Sequence, residues 1–283
     1  MLCIEALPFV NIAHAQEIAQ ESAQEVTQEE QNKWLDDYSR PVRFTYGAQA
    51  TLNAAYIWRG IYAGGPNIQV SANVGFAGLY AEVWSNIGAD SWAFKRFQPE
   101  LDVSLGFRRW GINAGILLVH NFNCGFFDFG NYSTGDGIGN RLEISGRFTV
   151  SSKLPLSFYW ATRVSAADSY INDAGVPVRA WSSYAEVSYT QKLPYGLSLY
   201  GGVGFTPWRS CYTRYERGFA VTNIDVRLRK NWELNKYFGL LLFGQVTINP
   251  DAIAADKSSI HWQTEKPSEQ SINFNVGCGV YLR

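Results

Sequence analysis

Phe44-Thr45-Tyr46-Gly47-Ala48-Gln49-Ala50-Thr51-Leu52-Asn53-Ala54-Ala55-Tyr56-Ile57-Trp58 carries an apolar side chain at every even position. The odd positions hold Thr45, Gly47, Gln49, Thr51 and Asn53 before reaching Ala55 and Ile57. A strand sends successive side chains to opposite faces, so this segment has one apolar side and one polar side. It exceeds the roughly 5–6 residues of a usual soluble strand. It also satisfies the roughly 9–11 residues of tilted strand that cross a bilayer.

Outward from that stretch the alternation recurs to the C-terminus, in about twelve segments, the kind of even number used by bacterial outer-membrane barrels. The second segment offers Ile68, Val70, Ala72, Val74 and Phe76; the fourth offers Leu101, Val103, Leu105 and Phe107. The tenth is weakest, with Ala220, Thr222, Ile224, Val226 and Leu228 on the apolar parity, and the last runs through Phe274, Val276, Cys278 and Val280. No Asp, Glu, Lys or Arg falls on the apolar parity of these segments. An Arg or Lys facing lipid at mid-bilayer costs about 2–4 kcal/mol, which accounts for the segregation.

Connections alternate too. Short ones fall at Ala77-Gly78, Arg109-Trp110, 151–155, 192–196 and 231–236; long ones span 60–66, 88–97, 121–139, 167–178, 207–218 and 250–270. The fold expected is all-β: a transmembrane antiparallel up-and-down barrel of about twelve strands, with short periplasmic turns and long extracellular loops. Aromatic residues near strand ends (Phe44, Tyr56, Trp58, Phe76, Phe107, Trp110, Trp232 and Phe238) fit interfacial girdles. No run of 18 or more apolar residues offers a transmembrane helix.

Three parts are expected. Residues 1–15 read as a secretory signal ending at Ala13-His14-Ala15, its positive front end missing, so that the true start is expected upstream. Residues 16–40 form an acidic Gln/Glu-rich periplasmic segment with a four-residue rhythm, and residues 41–283 form the barrel. The 283-residue chain has a formal charge of −1. Residues 1–40 hold eight of the 25 acidic and two of the 24 basic side chains, which leaves the barrel 17 against 22. That mild cationic bias favours anions or lipopolysaccharide phosphates. Cys278 reads as an apolar filler on the lipid side. Cys124 and Cys211 lie in long loops on the same side, and a disulfide between them is a hypothesis suited to an oxidising periplasm.

Tyr56-Ile57-Trp58-Arg59-Gly60, followed by Pro66-Asn67-Ile68-Gln69 and Gly78-Leu79-Tyr80-Ala81-Glu82-Val83-Trp84, resembles the TorF family of porins. The likeness covers roughly residues 43–122. The resemblance implies an outer-membrane barrel with a channel role and brings no catalytic residues. Separately, Asn275 to Leu282 resembles the terminal signal read by the outer-membrane insertion machinery, though the chain ends in Arg283 rather than an aromatic residue.

Inward parity places charges in tiers. Arg59, Arg141 and Arg163 lie toward the loop end; Glu82, Asp102, Glu143, Glu186 and Asp225 near mid-height; Arg108, Arg147, Arg227 and Arg229 toward the turn end. Opposite charges crowded in a narrow lumen are expected to pair, either holding the barrel shut or leaving a thin charged path. Large residues such as Tyr80, Trp84, Tyr159, Tyr184 and Tyr200 narrow it further. Loop aromatics (Phe126, Phe127 and Phe129; Trp208, Tyr212 and Tyr215) are expected to fold in as a plug, or to grip a sugar or a partner.

The reading is a monomeric porin-like channel for small solutes, anions among them, in the outer membrane of a Gram-negative bacterium. Its partners would be membrane lipid, lipopolysaccharide and the insertion machinery. The alternatives are a non-conducting scaffold or surface-binding barrel, and a lipid-modifying enzyme. An enzyme of that kind needs an activated nucleophile and a base; past the signal only His120 and His261 remain, neither in such a setting. The loop acids Asp128, Asp136, Asp168 and Asp173 match no calcium-loop spacing. Metal, cofactor and nucleic-acid sites are therefore not expected, and no basic patch supports the last.

Overall fold

A computed structural model describes residues 44–88, 99–120, 122, 124–131, 139–255 and 271–282. The expected signal, the acidic segment 16–40, Asp136 and His261 lie outside these residues. In chain order the strands are β1 (Phe44–Asn53), β2 (Tyr56–Trp58), β3 (Ile61–Gly64), β4 (Asn67–Phe76), β5 (Leu79–Gly88), β6 (Glu100–Arg109), β7 (Ile112–His120), β8 (Arg141–Thr149), β9 (Leu156–Arg163), β10 (Ser169–Ile171), β11 (Pro177–Arg179), β12 (Ser183–Leu193), β13 (Leu197–Thr206), β14 (Ala220–Glu233), β15 (Phe238–Ile248) and β16 (Ile272–Leu282). One short helix, α1, covers Pro250–Ala255.

Twelve of the strands close an antiparallel barrel, as the alternation predicts. Each pairs with its successor in the wall, and β16 returns to β1 in the register Ala48↔Leu282 to Asn53↔Gly277. The remaining four make two hairpins, β2–β3 and β10–β11, that stand apart from the wall. The β10–β11 hairpin comes from a stretch expected as a long loop, whereas β2–β3 takes in Tyr56–Trp58, expected as the end of the first strand, together with part of the 60–66 loop.

The burial is inverted relative to a soluble sandwich. In β16, Asn275 is 2% exposed while its neighbour Val276 is 61% exposed. Around the barrel the exposed rank includes Leu79, Leu105, Ile144, Val226 and Phe274, and the buried rank includes Gln69, Ser104, Glu186, Gln245 and Asn273. Cys278 is exposed on the apolar rank, opposite Leu52 and Leu242. Phe44, Phe76, Trp110, Trp232 and Phe238 are exposed near strand ends.

Turn chemistry fixes the short end. Ala77 (φ 58) and Gly78 (φ 92) join Phe76 to its partner Leu79, and Trp110 (φ 56) and Gly111 (φ 75) join Arg109 to Ile112. Two successive residues with positive φ make the tight hairpin that matches strand twist. A Cβ on Gly78 would approach the Phe107 ring to 2.8 Å.

Two expectations from parity fail. Tyr56 and Trp58 are not girdle residues but are 3% and 0% exposed. Alternation stops at Ala54-Ala55, and the apolar run that follows is buried on both parities as a hairpin inside the barrel. In β14, Ala220 and Thr222 are buried rather than lipid-facing. The register with β13 shifts at Gly204/Phe205, whose partners are Asn223 and Val221, and Thr222 is the extra residue. A bulge of this kind reverses the side to which the following alternation would assign it.

Candidate functional site

The lumen is built from the inward rank and from the β2–β3 hairpin. Past Asn53 the Ala54 N–H donates to the Val276 carbonyl (2.9 Å) and the Ala55 N–H to Asn275 Oδ1 (3.0 Å), both on β16. These bonds turn the chain inward. The hairpin closes through Arg59 (φ 46) and Gly60 (φ 85). A Cβ on Gly60 would lie 1.8 Å from the Thr222 carbonyl oxygen, so the tip sits directly on the β14 bulge and only glycine fits there.

Arg59 is the centre of the blockage and is 1% exposed. Its guanidinium donates to Glu143 through both ends, Nη2 to Oε1 at 2.7 Å and Nη1 to Oε2 at 2.9 Å. Nη2 also donates to the Tyr159 hydroxyl (2.9 Å), and Nη1 to that of Tyr212. Its Cζ lies over the rings of Trp58, Tyr159, Tyr184 and Tyr212, 4.7–5.5 Å from their centroids. Glu143 is on β8, five strands round the wall from β1, so the pair spans the barrel. A forked pair with additional hydroxyl acceptors and aromatic faces is the geometry in which a buried ion pair recovers its desolvation.

Loop 207–219 closes over this pair. The hydroxyl of Ser210 caps the turn Cys211–Thr213, and Tyr212 packs on Trp58 with ring centroids 5.1 Å apart. Ser182 ties that turn to the neighbouring loop. Its hydroxyl accepts from the Cys211 N–H (2.9 Å) and donates to Asp168 Oδ1 (2.6 Å). Tyr215 stacks on Tyr170 of β10, ring centroids 5.0 Å apart. Burial raises the Tyr212 and Tyr215 phenols, so both stay protonated. Together Tyr56, Trp58, Ile61, Trp84, Tyr184 and Tyr212 form one buried cluster at the loop end.

The other anticipated charges divide by partner. Asp225 accepts from Gln245 (3.0 Å) and Thr247 (2.9 Å) and pairs with Arg227 at 3.3 Å. Glu186 accepts from the hydroxyls of Tyr184 (2.7 Å) and Tyr200 (2.6 Å). Arg163 lies over Trp58, Arg108 over Tyr80 and Arg147 over Tyr159. Arg147 also donates to Ser188 (3.4 Å), and Arg229 to Asn231 (2.8 Å). Arg141 is half-buried on β8 beside Val119 of β7. Glu82 Oε1 and both Asp102 oxygens are buried with no hydrogen-bond partner.

Cys124 and Cys211, anticipated as a disulfide, are not joined to each other. Cys211 is buried behind the plug, where burial raises its thiol. Cys124 lies outside, 3.4 Å from Asn140 Oδ1, its thiol also raised by burial and then by Asp128. Of the loop aromatics, Tyr212 and Tyr215 join the plug, whereas Phe126, Phe127 and Trp208 are exposed. His120 Nδ1 lies 2.9 Å from Asn140 Oδ1, with its ring edge-on to Phe122. Among the described residues no three His, Cys, Asp or Glu side chains form a metal-holding group.

Sequence reasoning missed the hairpin as a plug, although Tyr56, Ile57 and Trp58 break the alternation and signal it. It also missed Glu100, which shares the parity of Asp102 and opens β6 one residue before Leu101, the first apolar residue of that segment.

No family model matches the chain, and no curated protein matches it in sequence. Among solved structures it is similar to the KdgM porin (8% identity, TM-score 0.44, covering 84% of this chain and 98% of that one). It is also similar to the NanC porin (8%, TM-score 0.48, 84% and 100%) and to an outer membrane channel from Pseudomonas putida F1 (13%, TM-score 0.40, 87% and 98%).

Proposed function

We propose that this chain is a porin-like channel of a Gram-negative outer membrane, held in a closed state by its own β2–β3 hairpin. The apolar outer rank supports residence in lipid, because only a closed barrel or a helix leaves no unpaired backbone in a bilayer. One observation carries the channel reading. The loop end is occupied by a separate hairpin, joined to the wall through Ala54-Ala55 and Gly65-Pro66, rather than by side chains of the wall alone. A purely structural barrel has no need of a removable stopper seated through a forked Arg59–Glu143 pair.

With the hairpin displaced, small solutes would pass along Arg108, Arg147, Arg227 and Arg229, which favours anions. In this reading the chain works as a monomer, contacts lipopolysaccharide at the loop end and is inserted through its β16 signal. Nothing in it calls for catalysis. The family it would join is the TorF porins, on the residues quoted for that resemblance.

A second reading, a non-conducting scaffold, is favoured by the full burial of Trp58, Trp84 and Tyr184 in the plug. Planar-bilayer recordings separate the two. The channel reading expects brief openings in the natural chain and sustained, anion-preferring current once residues 56–64 are replaced by a Gly/Ser linker. Silence in both proteins would establish the scaffold.

A further inference from the structure

The inward carboxylates differ by wall, and Glu82, alone on β5, has one buried oxygen without a partner. Glu143, Glu186 and Asp225, on β8, β12 and β14, each accept from two or more donors. Glu100 and Asp102, on β6, do not. Their carboxyl groups lie on the same face of one strand and touch one another. Glu100 is 6% and Asp102 0% exposed. Glu100 Oε2 accepts from the Tyr56 hydroxyl (2.9 Å), but beyond their contact with each other Glu100 Oε1 and both Asp102 oxygens meet no hydrogen-bond donor.

Directly opposite Glu100, across the β5–β6 ladder, stands Asn86, 9% exposed, its Oδ1 also without a partner. Four buried oxygen acceptors thus gather without a matching donor. The charged groups facing them are Arg141 from β8, which offsets one of the two negative charges, and Glu143, already taken by Arg59.

We propose that Asn86, Glu100 and Asp102 hold one hard metal cation of the calcium type on the lumen wall beneath the plug. Buried carboxylates in contact pair with a positive charge, coordinate a metal or share a proton. An all-oxygen set of two carboxylates and an amide carbonyl suits calcium, which takes oxygens from Asp, Glu, Asn and water in flexible geometry. The amide carbonyl and water would complete the set begun by the two carboxylates. Through the Tyr56–Glu100 bond the ion would also hold the root of the hairpin, so it links the wall to the plug. The site does not depend on whether the lumen conducts.

The test is terbium luminescence on the full chain refolded in detergent micelles, with Tb3+ as the probe. Trp84 is the register partner of Asp102 and Tyr56 bonds Glu100, so both rings would sensitise an ion seated there. The expected result is saturable Tb3+ emission on aromatic excitation, displaced by Ca2+. Its affinity should fall by at least about tenfold in the E100Q/D102N double variant. Emission that is absent in the natural chain, or unchanged in the double variant, overturns the site. Should the double variant fail to fold, judged by its heat-modifiable gel mobility, metal analysis of the natural chain decides. Refolded with Ca2+ and desalted, it retains about one ion per chain if the site exists. It retains none if the two carboxyl groups share a proton instead.

Discussion

At the loop end of this barrel an arginine is gripped by a carboxylate; at the turn end arginines lie on tyrosine rings. Arg59 is held from both sides of its fork by Glu143 and is fully buried. Arg108 and Arg147 sit 4.5 and 4.9 Å from the centroids of Tyr80 and Tyr159. A forked ion pair demands one geometry and holds an element in place. A cation over a ring keeps its charge available to a passing anion and tolerates sliding, at about 0.5–1 kcal/mol in exposed settings. In the proposed channel, the first arrangement would serve closure and the second passage.

Breaking the grip should have the largest effect. Arg59→Ala leaves Glu143 buried without its cation and is expected to cost about 3–5 kcal/mol. Denaturant unfolding in micelles measures that cost, and bilayer recordings should register longer openings. A loss well below that range would mean that water replaces the guanidinium and the plug is loosely seated. Next, Gly60→Ala places a Cβ at φ 85 against the Thr222 carbonyl. The expected strain is about 1–3 kcal/mol, with open time increased and the barrel still heat-modifiable. An unaltered open time would show that the tip moves aside without unseating Trp58.

At the turn end the same logic predicts a small effect on stability and a clear one on selectivity. Arg147→Ala should cost no more than about 1 kcal/mol yet lower the anion preference read from the reversal potential in a salt gradient. Unchanged conductance and ion preference would remove Arg147 from the pathway. The gentlest probe is thiol labelling. Cys211 is buried and its thiol is raised by burial, so less thiolate forms at neutral pH. Maleimide should react with it more slowly than with Cys124, and Arg59→Ala should narrow the gap. Equal rates in the natural chain would show that the loop end is already open.

Sequence alone carries the wall, because lipid enforces a rule on every second residue and a violation costs kilocalories. Val276 beside Asn275 is that rule at work. The same rule misleads where lipid no longer decides. Tyr56 and Trp58 keep the even parity of β1, yet the hydrogen bonds of Ala54 and Ala55 to β16 carry them inside, a long-range event of which the local pattern shows only that Ala55 and Ile57 end the alternation. Thr222 misleads for a related reason, since a single extra residue in β14 moves its side chain to the interior. The charged tiers are legible as inward positions. Which carboxylate meets which donor is not, since Glu143 takes Arg59 from 84 residues away while Glu186 takes two tyrosines.

The hairpin's root is bonded to the final strand of the wall, and its tip rests on a bulge that exists only when β13 and β14 are in register. During biogenesis the N-terminal segment therefore has no berth until the last strand arrives to meet the first. An unfinished barrel would stay uncorked while it zips together, and the stopper would drop home as the seam joins.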